Sequence, residues 1–413
     1  MEMASVHSCS SFIHYMQIFQ RLFLICVMLL PGSRAAFAQG VTKLGEIVIQ
    51  ADVKTIAIHV SGSTPELERL AHTAFGVHGR YRLVSSGGTF SLQFSAMGAN
   101  QVKVDITRGG SVVASQVFSG TSLRNGLLRA ADFAVEKTSG LKGFFASRIA
   151  FIVESGKAME VATGDLFFGE VRQITQDRSQ AMTPRWSPDG RKLLYTSYFR
   201  TGFPDIFLLD LGTFQRSTFV SFKGTNMGGR FSPNGQQVAM VLSGEGNPEV
   251  YVSNAQGRQI SRRTHTAAAE AGPCFSPDGL QMVYVSDSLG GPQLFVMPAA
   301  GGTSRRLATN ISRYCAEPDW SRGNPNMIAF TIREGNSLKL AVHDLSGRTA
   351  TRVVSKGPGD CVEPSWLADG RHLVYTQRLS GGPRLAILDT ETGKSTFISG
   401  AGSRVMQANV WGP

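Results

Sequence analysis

The sequence predicts an all-β six-bladed β-propeller preceded by a small α/β domain, and three observations carry that prediction. One element recurs along the C-terminal two thirds of the chain: Trp186-Ser-Pro-Asp-Gly190, Phe231-Ser-Pro-Asn-Gly235, Phe275-Ser-Pro-Asp-Gly279, Trp320-Ser-Arg-Gly323, Trp366-Leu-Ala-Asp-Gly370 and a truncated Trp411-Gly-Pro413. Its aromatic residues stand 45, 44, 45, 46 and 45 residues apart, a period that fits one four-stranded blade per unit. The stretch before the repeats has another texture, mixing strand-like runs with two amphipathic helical patterns.

Within each repeat the turn comes first. Pro fixes φ, and Asp or Asn followed by Gly tolerates the left-handed conformations that finish a tight turn. An apolar strand-forming run follows, such as Leu193-Leu-Tyr-Thr, Met282-Val-Tyr-Val or Leu373-Val-Tyr-Thr. A second run lies beyond a Gly/Pro turn, as in Asp205-Ile-Phe-Leu-Leu-Asp and Gln293-Leu-Phe-Val-Met, so the pair reads as a hairpin within a blade. The aromatic residue could serve a ligand cage, but one Trp or Phe per unit fits better as the plug between neighbouring blades. Burying such a ring contributes of order 4–6 kcal/mol at most.

The unit opened by Trp411 stops at Pro413, so its remaining strands must come from elsewhere. Arg148-Ile-Ala-Phe-Ile-Val-Glu-Ser155 has the pattern that normally follows the turn, and Ala158–Ala162 with Val171–Thr175 completes it. A propeller over residues 141–413 is thus expected to close on itself with strands from both ends, leaving no open edge. Residues 39–140 form the α/β domain. Lys54–Val60 reads as a strand, and Thr64-Pro65-Glu66 opens a helix with a cap, a first-position Pro and early acids. Strands follow near Arg80–Val84, Phe90–Phe94, Val102–Thr107 and Val112–Phe118, then a second helix over Ser122–Thr138 with Gly140 at its end.

Residues 1–38 read as a secretory signal peptide: Arg21, the apolar run Leu22–Leu30, then Ala36-Phe-Ala38. Nine apolar residues are too few to span about 30 Å of hydrocarbon, so export with cleavage after Ala38 is expected, not membrane insertion. Cleavage leaves 39 basic and 29 acidic residues and three cysteines, Cys274, Cys315 and Cys361. That odd number allows at most one internal disulfide in an oxidising compartment; Cys315 and Cys361 each lie five residues before a Trp, which leaves a bridge between them open. Arginines are scattered, the densest spots being the pairs Arg262-Arg263 and Arg305-Arg306, so no nucleic-acid partner is expected.

The order of signal peptide, small α/β domain, Leu141-Lys-Gly-Phe-Phe-Ala-Ser-Arg-Ile-Ala-Phe-Ile-Val153, repeated Trp/Phe-Ser-Pro-Asp-Gly units and terminal Gln407-Ala-Asn-Val-Trp-Gly-Pro413 resembles the TolB family, periplasmic propellers of the Tol-Pal system. The resemblance implies a monomeric scaffold without catalysis. One propeller end would receive the peptidoglycan-associated lipoprotein Pal, and the mature N-terminus would engage the inner-membrane protein TolA, supporting outer-membrane integrity and cell division. It further implies that loops just before the aromatic anchor strands form the Pal-binding rim. Placed by spacing, these offer Thr225 and Gly228 in the second unit and Glu270, Ala271 and Gly272 in the third. The family's Glu-Pro pair falls in the fourth and fifth units instead, at Glu317 and Glu363. The TolA-binding stretch would comprise Gln39, Gly40, Val41, Leu44, Glu46, Ile47 and Val48. Read by itself, Glu46–Ile49 is equally an ordinary first strand of the α/β domain or a strand that adds to a partner's sheet edge.

Enzyme chemistry finds little support. The prolyl-oligopeptidase class carries a similar propeller but needs Gly-x-Ser-x-Gly, and no such pentapeptide occurs. No His is adjacent to a cysteine as a dyad would require, and the histidines lack metal-ligand spacing. No cofactor is therefore expected, with room left for an adventitious Ca²⁺ on tunnel carboxylates. The alternative function is a propeller that binds a sugar or cofactor in its tunnel, or a non-catalytic relative of the prolyl-oligopeptidase propellers.

Overall fold

A computed structural model describes residues 55–412; the expected signal peptide and the expected TolA-binding stretch lie outside them. The first five strands are β1 (Ile56–Gly62), β2 (Tyr81–Leu83), β3 (Phe90–Gly98), β4 (Gln101–Arg108) and β5 (Ser111–Ser119). They form one sheet in the order β2-β1-β3-β4-β5, with β1 parallel to both neighbours and the rest antiparallel. Two helices, α1 (Pro65–Val77) and α2 (Leu123–Ser139), pack their apolar faces on it. Their ends follow the sequence signals: Thr64 Oγ1 accepts from Leu67 N at 3.3 Å, Ser122 Oγ accepts from Asn125 N at 3.1 Å, and Gly140 closes α2 at φ +71°. β2 is shorter than its expected run because only three residues pair with β1.

Asp132 of α2 explains the Lys142-Gly143-Phe144 junction. Its buried carboxylate accepts from Phe145 N and from Ala146 N, the latter at 3.0 Å. A Cβ on Gly143 would lie 2.3 Å from Asp132 Cβ, so only glycine lets the chain cross the helix here.

From there six four-stranded sheets follow. Blade 1 is β9 (Ala181–Trp186), β10 (Lys192–Ser197), β11 (Asp205–Asp210) and β12 (Arg216–Val220). Blade 2 is β13 (Asn226–Phe231), β14 (Gln237–Leu242), β15 (Glu249–Asn254) and β16 (Ser261–Arg262). Blade 3 is β17 (Glu270–Phe275), β18 (Gln281–Ser286), β19 (Gln293–Pro298) and β20 (Arg305–Arg306). Blade 4 is β21 (Cys315–Trp320), β22 (Met327–Glu334), β23 (Ser337–Asp344) and β24 (Arg352–Val353). Blade 5 is β25 (Asp360–Trp366), β26 (His372–Leu379), β27 (Gly382–Asp389) and β28 (Ser395–Phe397). Blade 6 joins the two ends of the ring: β29 (Val405–Trp411) pairs antiparallel with β6 (Arg148–Ser155), which continues to β7 (Ala158–Asp165) and β8 (Arg172–Gln173).

The aromatic anchors are buried between blades, from Trp186 at 4% exposed to Trp320 and Trp366 at 7%. One assignment changes. Trp186 pairs with Leu193 just as Val410, not Trp411, pairs with Ile149, so Val410 holds the sixth anchor position. Trp411 sits one residue beyond, 6.0 Å from the Trp186 ring, and its indole N–H donates to Pro188 O at 2.9 Å. Cys274, Cys315 and Cys361 are all buried free thiols, so the bridge left open between Cys315 and Cys361 is not formed. Cys274 and Cys315 share the apolar cluster between blades 3 and 4, and Cys361 lies in the next cluster; Cys274 Sγ accepts from Trp320 N at 3.3 Å.

The α/β domain rests on the turn-bearing face of blades 5 and 6. Arg124 reaches Asp165 at 3.0 Å, Lys394 Nζ donates to Gly76 O at 2.7 Å, and His78 meets His372 with ring centroids 4.4 Å apart. Among the described residues no helix is long and apolar enough to cross a membrane.

Candidate functional site

The innermost strands β9, β13, β17, β21, β25 and β29 stand side by side around the tunnel. Each carries a register shift before its anchor. At that bulge one residue takes positive φ: Thr183 51°, Gly228 69°, Gly272 56°, Glu317 54°, Glu363 58° and Gln407 56°. For the four that are not glycine this costs of order 1–3 kcal/mol each. A polar girdle holds them. Glu317 Oε2 accepts from Glu363 N at 2.9 Å, Glu363 Oε2 from Gln407 N at 3.2 Å, and Gln407 Oε1 from Thr183 N at 2.8 Å. Threonines one strand outward join in, Thr196 accepting from Gly228 N at 3.1 Å and Thr376 from Gln407 N at 2.9 Å. The girdle lapses at blades 2 and 3, where Gly228 and Gly272 have no side chain and Val241 and Val285 stand where blades 1, 4 and 5 have threonine. Burial, and then the charge of Glu363, push the Glu317 carboxyl up from its ordinary range; Arg378, 3.0 Å from Glu363, opposes this.

A second acidic pair locks blade 2 to blade 3. Glu249 Oε1 accepts from Arg262 Nη2 at 2.6 Å and Thr266 N at 2.9 Å. Glu270 Oε1 accepts from Thr266 Oγ1 and Ser286 Oγ, both at 2.9 Å. The other oxygen of each is buried with no hydrogen-bond partner among the described residues, an arrangement that favours a protonated Glu270. Burial, then the neighbouring Glu249, raises Glu270 to about 8.

The propeller face at this end of the tunnel, away from the α/β domain, carries exposed Phe199 and Phe203 in the loop joining β10 to β11 and Phe222 in the loop joining β12 to β13, at 42%, 68% and 55%. It also holds a shallow depression among Ser312, Arg313, Tyr314 and Arg333. One set of metal-ligand type occurs among the described residues, His78, Asp369 and His372, with ligand atoms within 4.8 Å of one another. Sequence spacing could not reveal it, since His78 and His372 come from different domains. One ring nitrogen of each histidine is engaged within its own domain, Arg80 N donating to His78 Nδ1 at 3.2 Å and His372 Nδ1 to Asp369 Oδ2 at 2.5 Å, while both Nε2 atoms are buried without a hydrogen-bond partner among the described residues.

The ring and its closure set the chain beside known propellers. The profile described as TolB beta propeller domain matches residues 135–413. The chain belongs to the TolB propeller family. It is 35% identical over 132 residues to the Tol-Pal system protein TolB of Desulfosudis oleivorans, an alignment that spans 32% of this chain and 30% of that relative's length. The crystal structure of TolB from Acinetobacter baumannii superposes with a TM-score of 0.79 at 22% identity, covering 88% of this chain and 98% of that one. A putative TolB from Agrobacterium tumefaciens gives 0.51 at 16% identity, covering 65% and 99%. At those identities the structures share the fold.

The rim residues suggested by the TolB resemblance separate into two groups. Ala271 and Gly272 are exposed, while Gly228, Glu317 and Glu363 line the tunnel half-buried. Thr225 and Glu270 are buried, at 7% and 1%; Thr225 N donates to Ser243 Oγ within blade 2, and Glu270 sits at the joint of blades 2 and 3. Except for Thr225, these residues lie on innermost strands, not in loops: strand pairing starts at Asn226 and Glu270, earlier than spacing indicates. Thr183 and Gln407 belong to the same ring and were missed. The residue three before the anchor is followed by proline in four units, Pro184, Pro273, Pro318 and Pro364, and that alignment would have found Thr183.

Proposed function

We propose that this chain is a periplasmic, non-catalytic scaffold of the Tol-Pal system that binds Pal on the uncovered tunnel rim and TolA through its mature N-terminus. In that role it would link envelope layers and support outer-membrane integrity and division. The observation that carries the reading is the separation of the two faces. The α/β domain occupies the turn-bearing face at blades 5 and 6, whereas among the described residues nothing covers the opposite face, which presents Phe203 and Phe222, aromatic anchors of the type that concentrate binding energy. Loops at the mouth of a closed ring can carry a partner site without disturbing the blades.

The test measures both partners on one folded protein. A Phe203→Ser/Phe222→Ser double variant should bind the soluble domain of Pal at least about tenfold more weakly with an unchanged melting curve. Deleting residues 39–48 should abolish TolA binding and spare Pal. Undiminished Pal binding by the folded double variant rejects the rim, and retained TolA binding rejects the N-terminal assignment.

A further inference from the structure

The residue just before each anchor forms a second ring, nearer the turn-bearing end of the tunnel: Arg185, Arg230, Cys274, Asp319, Ser365 and Asn409. Four of the six spend their polar groups on the next blade. Asp319 Oδ2 accepts from Trp366 N at 2.8 Å, Asn409 Oδ1 from Trp186 N at 2.9 Å, Ser365 Oγ from Val410 N at 3.2 Å, and Cys274 Sγ from Trp320 N at 3.3 Å. The two arginines cannot do this, having only donors. Arg230 instead passes the short Cys274 of blade 3 and pairs with Asp319 Oδ1 on blade 4, which leaves both Asp319 oxygens occupied. Arg185 has no hydrogen-bond or ion-pair partner among the described residues. Burial, and then the charge of Arg230 beside it, lower its guanidinium to about 10, with Asp319 and Glu363 opposing. Arg322, exposed in the irregular Trp320-Ser-Arg-Gly turn of blade 4, lies close enough to feel Arg230 and Asp319. Three guanidinium groups thus converge near Asp319, whose oxygens are already committed, and the next carboxylate, Glu363, is held by Arg378.

We propose that this turn-side half of the tunnel is a binding site for a small oxyanion of the phosphate type, held between Arg185 and Arg230 with Arg322 at the mouth. A planar guanidinium matches two oxygens of such an anion at once, and the anion supplies the partner that Arg185 lacks. The Arg230–Asp319 pair reaches from blade 2 to blade 4, so side chains fill the lumen at this level and the site suits a small ion, not a threaded peptide segment. The site is separate from the proposed Pal rim at the other end. It also disfavours a cation here, which moves any adventitious Ca²⁺ to the carboxylate girdle.

The probe is inorganic phosphate, titrated calorimetrically into the full mature chain at ionic strength held constant with sodium chloride. Wild type should show one saturable site. Arg185→Gln should weaken it about tenfold or more, the loss expected for one charge-assisted hydrogen-bonding group, while melting in phosphate-free buffer at the same temperature or higher because a like-charge contact is gone. Arg322→Gln, on an exposed side chain, should weaken it less. Absence of a saturable site in wild type overturns the proposal, as does unchanged affinity in both folded variants, which would assign phosphate to other surface arginines.

Discussion

Replacing Glu270 by Gln should make the protein more stable at neutral pH and flatten one part of its pH profile. Glu270 is 1% exposed, and its pKa stands near 8 against an ordinary 4.5. The folded state therefore holds a proton that the unfolded chain releases across that interval. For a carboxyl raised on folding, stability is fully present below about 4.5 and falls as pH rises toward 8, by about 1.4 kcal/mol per pH unit. At pH 7 the loss reaches about 3 kcal/mol as an upper bound. Gln keeps an oxygen for Thr266 Oγ1 and Ser286 Oγ and offers a permanent N–H to Glu249. With roughly 2 °C per kcal/mol for a unit of this size, the variant should melt about 5 °C higher at pH 7 and equal wild type at pH 4. Melting temperature followed by circular dichroism from pH 4 to 8.5 gives the comparison. Parallel curves across the whole range would show that folded Glu270 holds no extra proton and refute the argument. Glu249→Gln is not an equivalent change, because it strips Arg262 of its buried partner and should destabilise.

Removing residues 407–413 takes away most of β29, exposing the edge of β6 and the partners of Trp186; a sharply lower melting temperature or aggregation on heating is expected, and an unchanged curve would reject closure as a source of stability. Gly143→Ala should cost about 1–3 kcal/mol through its overlap with Asp132, read as a lower denaturation midpoint and faster proteolysis at the junction. His372, held by Asp369 and Asp389, has its pKa raised to about 9. Its contribution is present below about 6.5 and lost as pH rises to 9, so His372→Gln should remove that alkaline arm, a window that Glu270→Gln leaves intact above pH 8.

How much was legible depends on the range of each interaction. A turn needs only its own few residues, so Trp186-Ser-Pro-Asp-Gly190 and its copies announce themselves, and Gly190 does take φ +68°. The cap at Thr64 was readable for the same reason, while Ser122, read as the first residue of its helix, is the cap before it. Even ring closure was visible, because Arg148–Ser155 repeats a pattern that belongs after a turn it does not follow. The site was less so. A spacing rule placed Glu270 on a rim, but whether a carboxylate faces solvent depends on which blade stands opposite, and Glu249 stands there.

Within a repeat, then, backbone chemistry and period were enough to determine turns, strands, blade number and family. What tertiary structure alone decided are the contacts between repeats and between domains: the shift of the sixth anchor to Val410, the pairing of Glu249 with Glu270, His78 against His372, and Arg185 left beside Arg230. These join residues up to 294 positions apart, and no local pattern encodes them, because burial and charge at such places are properties of the assembled ring and not of any one strand.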